Sequence, residues 1–230
     1  MKAFIKKLSS KIILKVKGGP LVGHRLIAGS GIKFIRGRYE EETVNFLENN
    51  IKKGFICLDI GGHVGYLSLI MSKLSGSEGK VFVFEPRPIN IRYIEKHIAL
   101  NRVNNIDLLS IGVSDYKGET QFDIEHGTGT GRISDSGSLS IQVDTLDNLF
   151  DNGKIPPPDF IKMDIEGEEL KALQGGKNLL IQHKPIMNIS THGIEVHKAC
   201  LEYVKQLRYS NIEEIEGGFI ALPPPVSVNT

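Results

Sequence analysis

From Phe55 onward the chain alternates short apolar runs with longer amphipathic ones, and this rhythm restricts its possible folds more than any other feature. Residues 55–60, 80–84 and 106–111 read as buried strands, and residues 65–74 and 88–101 as the helices between them. The pattern resumes with a strand over 160–163, a helix over 168–181, a strand over 185–190 and a helix over 193–207. Strands separated by helices pair in parallel, because each crossover returns the chain to the same edge, and the helices then cover both sheet faces. The expected fold is α/β, a doubly wound, mostly parallel, Rossmann-like sheet. Residues 212–215 and 219–222, turned by Glu216-Gly217-Gly218, add an antiparallel C-terminal hairpin. Residues 118–124 and 138–143 read as a small inserted strand pair. The glycine-rich stretch 125–137 between them is expected to be a loop, and a loop of that length is more often a lid or a disordered segment than a plain connection.

The chain has 230 residues, 40% of them hydrophobic, enough for one sizeable core without disulfides or metals. The expected division is an N-terminal part over 1–36, the main domain over 37–222 and a tail over 223–230. A net charge of +1 gives no global polyanion-binding surface, and no nucleic-acid partner is expected. Cys57 and Cys200 form no CxxC pair, and Cys57 sits in an apolar run, so a buried thiol and a reducing, cytoplasmic setting are expected. No apolar run is long enough to span a bilayer. Lys2, Lys6, Lys7, Lys11, Lys15 and Lys17 accompany Phe4, Leu8, Ile12 and Val16, which recur every four residues. That spacing predicts a basic amphipathic helix over 1–17, either packed on the domain or resting on an anionic membrane face. Residues 25–28 and 32–36 are expected to form a hairpin, and residues 40–50 a helix.

The most informative segment is Asp59-Ile60-Gly61-Gly62-His63-Val64-Gly65, in which a strand ends in a carboxylate, turns through glycines and enters a helix. Ligands of open α/β sheets bind at such carboxyl ends. No register of this turn supplies GxGxxG, and Asp59 would repel a pyrophosphate. S-adenosylmethionine carries an ammonium and a sulfonium and no phosphate, so the same carboxylate attracts it. The next strand ends in Glu85-Pro86, where a carboxylate suits both hydroxyls of a ribose. Val113 and Ser114, after the third strand, fall where the adenine edge would lie.

In these segments the chain resembles the FkbM-type methyltransferases. The matching stretches are Asp59 to Tyr66, Phe84-Glu85-Pro86-Arg87-Pro88 with Asn90, Asn101, Thr145-Leu146-Asp147, and Ile161 to Glu168. Gly37-Arg38-Tyr39-Glu40 resembles the family's entrance to the domain, and His63 stands where the family often has asparagine. The resemblance spans about residues 37–222. It implies a class I methyltransferase fold and methyl transfer to a hydroxyl, commonly on a sugar or a secondary metabolite. The cofactor-binding candidates are Tyr39, Asp59, Gly61, His63, Gly65, Glu85, Pro86, Val113 and Ser114.

The reaction candidates gather at the fourth strand. Lys162, Asp164 and Glu166 stand at the edge that faces the cofactor strand, and His192 follows the next strand. A sulfonium methyl is already activated, so alignment of the acceptor oxygen comes first, with Asp164, Glu166 or His192 assisting proton removal. Glu168 and Glu169 read as acids that favour a helix N-terminus. Asp164 and Glu166 could hold a divalent ion, but no metal site is assigned. GxSxG, P-loop and zinc patterns are absent from the sequence, as is the Asn-Pro-Pro-aromatic segment of base methylation. An amine or carboxylate acceptor, or a module that binds cofactor without catalysis, are the competing readings.

Overall fold

A computed structural model describes residues 11–124, 131–133 and 137–224. The described chain begins with β1 (Ile13–Lys15) and β2 (Arg25–Ile27), paired antiparallel with Leu14 opposite Leu26. Two helices follow, α1 (Ile32–Arg36) and α2 (Glu41–Asn50). Two N-terminal expectations are thereby corrected. Residues 13–15 are extended, not helical: β-branched Ile12 and Ile13 favour strand, and the ladder continues through Val16 N–H to the His24 carbonyl at 2.8 Å. Residues 1–10 of the expected helix lie outside the described residues. Residues 32–36 are a helix and not the second arm of a hairpin; Phe34 and Ile35 turn inward while Lys33 and Arg36 stay exposed. His97 anchors the true hairpin, accepting from Ile27 N–H at 3.0 Å and reaching the Val64 carbonyl at 2.8 Å. Burial pushes this imidazole down to about 4, so it is neutral at physiological pH.

The first half of the main sheet comprises β3 (Ile56–Ile60), α3 (Tyr66–Ser75), β4 (Lys80–Phe84), α4 (Pro88–Asn101) and β5 (Ile106–Leu109). Next come β6 (Gly112–Val113), β7 (Gly118–Ile124), β8 (Gly131–Ile133), β9 (Leu139–Asp144) and α5 (Leu146–Asp151). The second half contains β10 (Phe160–Met163), α6 (Glu169–Gln174), α7 (Lys177–His183), β11 (Ile186–Ser190) and α8 (Ile194–Gln206). It closes with β12 (Asn211–Ile215) and β13 (Gly218–Leu222). The seven-stranded sheet has the order β12-β13-β11-β10-β3-β4-β5. Its first five strands in chain order, β3, β4, β5, β10 and β11, run parallel, and β13 and β12 close one edge antiparallel. This is the doubly wound sheet with a C-terminal hairpin that the rhythm implied.

Alternation along the strands divides the core. Leu58, Phe82 and Ile161 pack with Leu173, Leu180 and Val204 on one face. Cys57, Val81 and Phe160 pack with Ile70, Ile94, Leu26 and Phe34 on the other, so the N-terminal hairpin and α1 share the domain's core. The strand order puts β3 between β4 and β10, so the loops after these three strands open at one carboxyl edge.

Two further expectations change. The inserted pair is a four-stranded sheet in the order β6-β9-β7-β8. Its β8 falls inside the stretch expected to be a loop, because Ile133 pairs opposite Phe122 and gains an apolar cross-strand contact. Residues 125–130 and 134–136 of that stretch lie outside the described residues. The helix expected over 168–181 is two helices, broken at Gly175-Gly176. A Cβ on Gly175 would lie 2.1 Å from the Ser114 carbonyl oxygen, so that close approach requires glycine. The Asp147 carboxylate then accepts from Asn178 and Leu179 N–H at 3.0 and 2.9 Å and starts α7.

Candidate active site

The turn after β3 is shaped by two close approaches. Gly61 adopts φ +86°, and a Cβ there would lie 2.0 Å from the Asp164 carbonyl oxygen; on Gly62 it would lie 2.2 Å from Val83 Cγ1. Both glycine N–H groups donate to the Phe84 carbonyl at 3.0 Å, which locks the turn onto the end of β4. His63 follows with φ +52°, and Gly65 with φ +82° starts α3. The turn is thus pressed between β4 and the loop after β10, with no room for a Cβ at Gly61 or Gly62.

Glu85 sits where β4 ends and is only 5% exposed. Its two oxygens accept from His63 N–H at 2.8 Å and Arg87 N–H at 2.9 Å. Burial pushes its carboxyl up to about 7, against the pull of these donors and of the Asn90 side chain. One pair of backbone donors therefore aims the carboxylate, while desolvation makes its charge costly.

A cavity of about 290 Å³ opens at this edge, which suits a small-molecule ligand. Gly61, Gly62, His63, Glu85 and Pro86 form its floor, and Lys162, Asp164 and Glu166 stand on its β10 side. Val113 with Phe122, Ile133 and Ile141 supplies an apolar wall from the inserted sheet. The opposite wall is aromatic, with the Phe34 ring 4.7 Å from Tyr39 and 5.8 Å from His63. Tyr39 is held protonated, its phenol raised by burial and by Glu40.

Under the turn lies a buried ion pair. The β3–β10 register sets Lys162 beside Asp59, with Asn188 beside it on β11. Lys162 is 4% exposed; its Nζ donates to the Gly61 carbonyl at 3.0 Å and stands 3.4 Å from Asp59 Oδ1. Burial works against the lysine's charge, but Asp59, Asp164 and Glu40 outweigh it and raise its pKa. Asp59 Oδ2 also accepts from the Ser68 hydroxyl.

At the far side, His192 joins the two loops. Its Nε2 lies 3.5 Å from both Asp164 Oδ1 and Glu166 Oε2, and its Nδ1 lies 2.9 Å from Glu169 Oε1. The hydrogen bond to Glu169, with the charges of Asp164 and Glu166, pushes the imidazole up to about 9 despite its partial burial. His192 is therefore cationic at neutral pH. The same Glu169 oxygen accepts from Ile165 and Gly167 N–H at 3.3 and 3.1 Å. One ligand atom each from Asp164, Glu166 and His192 lies within 4.8 Å of the others.

Of the residues singled out in the sequence, Tyr39, Gly61, His63, Glu85, Pro86, Val113, Lys162, Asp164 and Glu166 line the cavity. Asp59, Gly65, Ser114 and His192 are not among its lining residues. Asp59 turns down to Lys162 and Ser68, and Ser114 is buried against Gly175. Lys162 is engaged by the turn. Glu169, read as a helix-terminal acid, is fully buried and holds His192. Phe34 carries no motif around it; Asn90 stands two residues beyond Pro88 in a segment that resembles the FkbM pattern.

A family model for the methyltransferase FkbM domain matches residues 59–211. Among curated proteins, the hexuronic acid methyltransferase AglP of Haloferax volcanii is 28% identical over 151 residues, 65% of this chain. The chain spans 60% of that relative's length. A methyltransferase FkbM structure from Methylobacillus flagellatus KT superposes with a TM-score of 0.54 at 17% identity, covering 85% of this chain and 53% of that one. A Streptococcus mutans structure in complex with SAH gives a TM-score of 0.50 at 13% identity, covering 79% of this chain and 96% of its own. At such identities these two likenesses concern the fold.

Proposed function

Because this chain belongs to the FkbM methyltransferase family, we propose that it is an S-adenosylmethionine-dependent O-methyltransferase acting on a hydroxyl of a sugar or glycan. The observation that carries this reading is one cavity edged by the Gly61-Gly62 turn, the buried Glu85 carboxylate and the Asp164–Glu166 loop. The residues suit the cofactor: the Gly61-Gly62 turn lines the cavity with backbone alone, and Glu85 is aimed by His63 and Arg87 N–H. When bound, S-adenosylmethionine supplies a methyl group already activated for transfer. Glu85 accepts hydrogen bonds from the ribose hydroxyls, and Phe34, Tyr39, Val113 and Ile141 exclude water.

Asp164 takes the acceptor's proton. It lines the cavity, and its Oδ1 faces His192, which already carries a proton at neutral pH and so serves as a fixed positive charge. Lys162 is a positioning residue that keeps the turn against β10 through the Gly61 carbonyl. The sugar class is supported by the named substrate of AglP, a hexuronic acid. No helix among the described residues is long and apolar enough to cross a membrane. Two buried free thiols fit a cytoplasmic setting, and the lysine-rich residues 1–17 favour peripheral contact with an anionic membrane.

The test is calorimetry followed by label transfer. S-adenosylhomocysteine should bind and NADH should not, and methyl-labelled cofactor should mark a sugar or glycan pool. Tight NADH binding without S-adenosylhomocysteine binding would overturn the cofactor assignment; label found only on amines would overturn the acceptor class.

A further inference from the structure

Ten of the 28 basic residues and none of the 27 acidic ones fall within the first 39 positions, which leaves 18 basic against 27 acidic residues in the rest. Charge is therefore segregated in a chain whose net charge is +1. Lys11, Lys15, Lys17, Lys33, Arg36 and Arg38 are all exposed. None of them enters a salt bridge among the described residues.

The same stretch exposes apolar bulk. Of the eight large hydrophobic side chains exposed among the described residues, five are Ile12, Ile13, Leu14, Val22 and Ile32. Ile13 is 47% exposed, Val22 60% and Ile32 58%. Ile12 and Leu14 alternate with Ile13 across the two faces of the hairpin, and the hairpin adjoins α1. Lys17 N–H donates to the Ile35 carbonyl at 2.9 Å, and Gly18 and Gly37 touch so closely that a Cβ on Gly37 would lie 2.0 Å from the Gly18 oxygen. Lys17, Ile32, Lys33, Arg36 and Arg38 share one shallow depression at this junction.

Exposed isoleucines add nothing for a purely polyanionic partner, and cations without a salt-bridge partner among the described residues oppose pairing with a second copy of the same basic face. A bilayer with anionic headgroups accommodates both, with apolar side chains at the acyl boundary and cations at the phosphate level. We propose that residues 11–38, the β1–β2 hairpin with α1, form a docking surface for an anionic lipid bilayer. This deepens the membrane contact assigned to residues 1–17 and rests on it, but places the determinants on the folded hairpin and helix. Lys33 also lines the cavity, so docking turns the cavity mouth toward the membrane.

Sedimentation of the full chain with vesicles tests this without cofactor or acceptor. The chain should pellet with 3:1 phosphatidylcholine–phosphatidylglycerol vesicles at low salt, and barely with phosphatidylcholine alone. Arg36→Gln with Arg38→Gln should weaken partitioning about fivefold per charge removed. Ile13→Ser with Ile32→Ser should weaken it by a similar factor per residue, about fivefold. Unchanged urea midpoints will show that both variants remain folded. Equal binding to the two vesicle types, or variants that pellet like the native chain, would overturn the proposal. So would an Ile32-dependent dimer that ignores vesicles. If deleting residues 2–10 releases the chain while both variants stay bound, the contact through 1–17 stands and the hairpin surface is refuted.

Discussion

Glu85→Gln separates the cost of the Glu85 charge from its use. The carboxyl is 5% exposed and its pKa is pushed up to about 7, while an unfolded chain would hold it near its ordinary value of 4.5. Between those values the folded protein keeps a proton that the unfolded chain has lost. This contribution to stability is fully present below pH 4.5 and is lost as pH rises through 7. From pH 5 to pH 8 the two pKa values imply a loss of about 2.5 kcal/mol from this one group. Glutamine cannot titrate, so the difference in stability between variant and native chain should move in the variant's favour by that amount over the same interval. The variant has its own cost, because its amide can accept from only one of the His63 and Arg87 N–H donors. One charged hydrogen bond is lost, worth about 1.5–3 kcal/mol. Urea unfolding of both chains at pH 5 and pH 8 isolates the pH slope from that constant offset. S-adenosylhomocysteine binding should show the opposite trend. If only ionised Glu85 receives the ribose, native affinity should rise about tenfold from pH 6 to pH 8 as the competent fraction grows, and the variant should show no such rise. Parallel stability curves for the two chains would refute the claim that burial governs Glu85.

Asp164→Asn should lower kcat by about 10²–10⁴ with little change in cofactor affinity, as expected when a positioned base is removed; an unchanged kcat would assign the proton elsewhere. His192, raised to about 9, lends stability that is complete below its ordinary value of 6.5 and fades as pH rises through 9. In His192→Ala that alkaline decline, followed by thermal unfolding between pH 7 and 10, should flatten. Lys162→Met strands a fully buried carboxylate at Asp59 and should cost about 3–5 kcal/mol in urea unfolding. Adding Asp59→Asn should recover part of that, and strict additivity would count against the pair. Gly61→Ala forces a Cβ to within 2.0 Å of the Asp164 carbonyl oxygen at φ +86°, so it should lower kcat as well as cofactor affinity.

The part of the cavity built from the β3 turn and Glu85 was legible because its residues stand where one periodicity gives way to another. Gly61 and Glu85 close apolar runs, and the loops of adjacent parallel strands must open together. What was misread depended on contacts between distant segments. Glu169 occupies the first turn of a helix, a position that an acid favours for its dipole alone. Its burial follows from α6 facing the loop after β11, which no local pattern encodes. Ser114 follows a strand end, and its burial against Gly175, outside the cavity lining, comes from a segment distant in the chain. Ile12 and Val16 sit four apart like helical residues, but residues 24–27 offered a ladder, and pairing prevailed over spacing. Ile133 lies among glycines, and its strand became visible only opposite Phe122.

The Glu169 carboxylate fixes the Ile165–Gly167 backbone and the His192 ring through the same oxygen. The two loops proposed to flank the acceptor are therefore mechanically coupled and should vary together. A relative that changes one of them to admit a different acceptor must change the other in step or replace Glu169. In grafting experiments either loop alone should fail where the pair, transplanted with residue 169, succeeds. A substitution of Glu169 would look like an acceptor-recognition defect in a screen, although the side chain is fully buried and absent from the cavity wall.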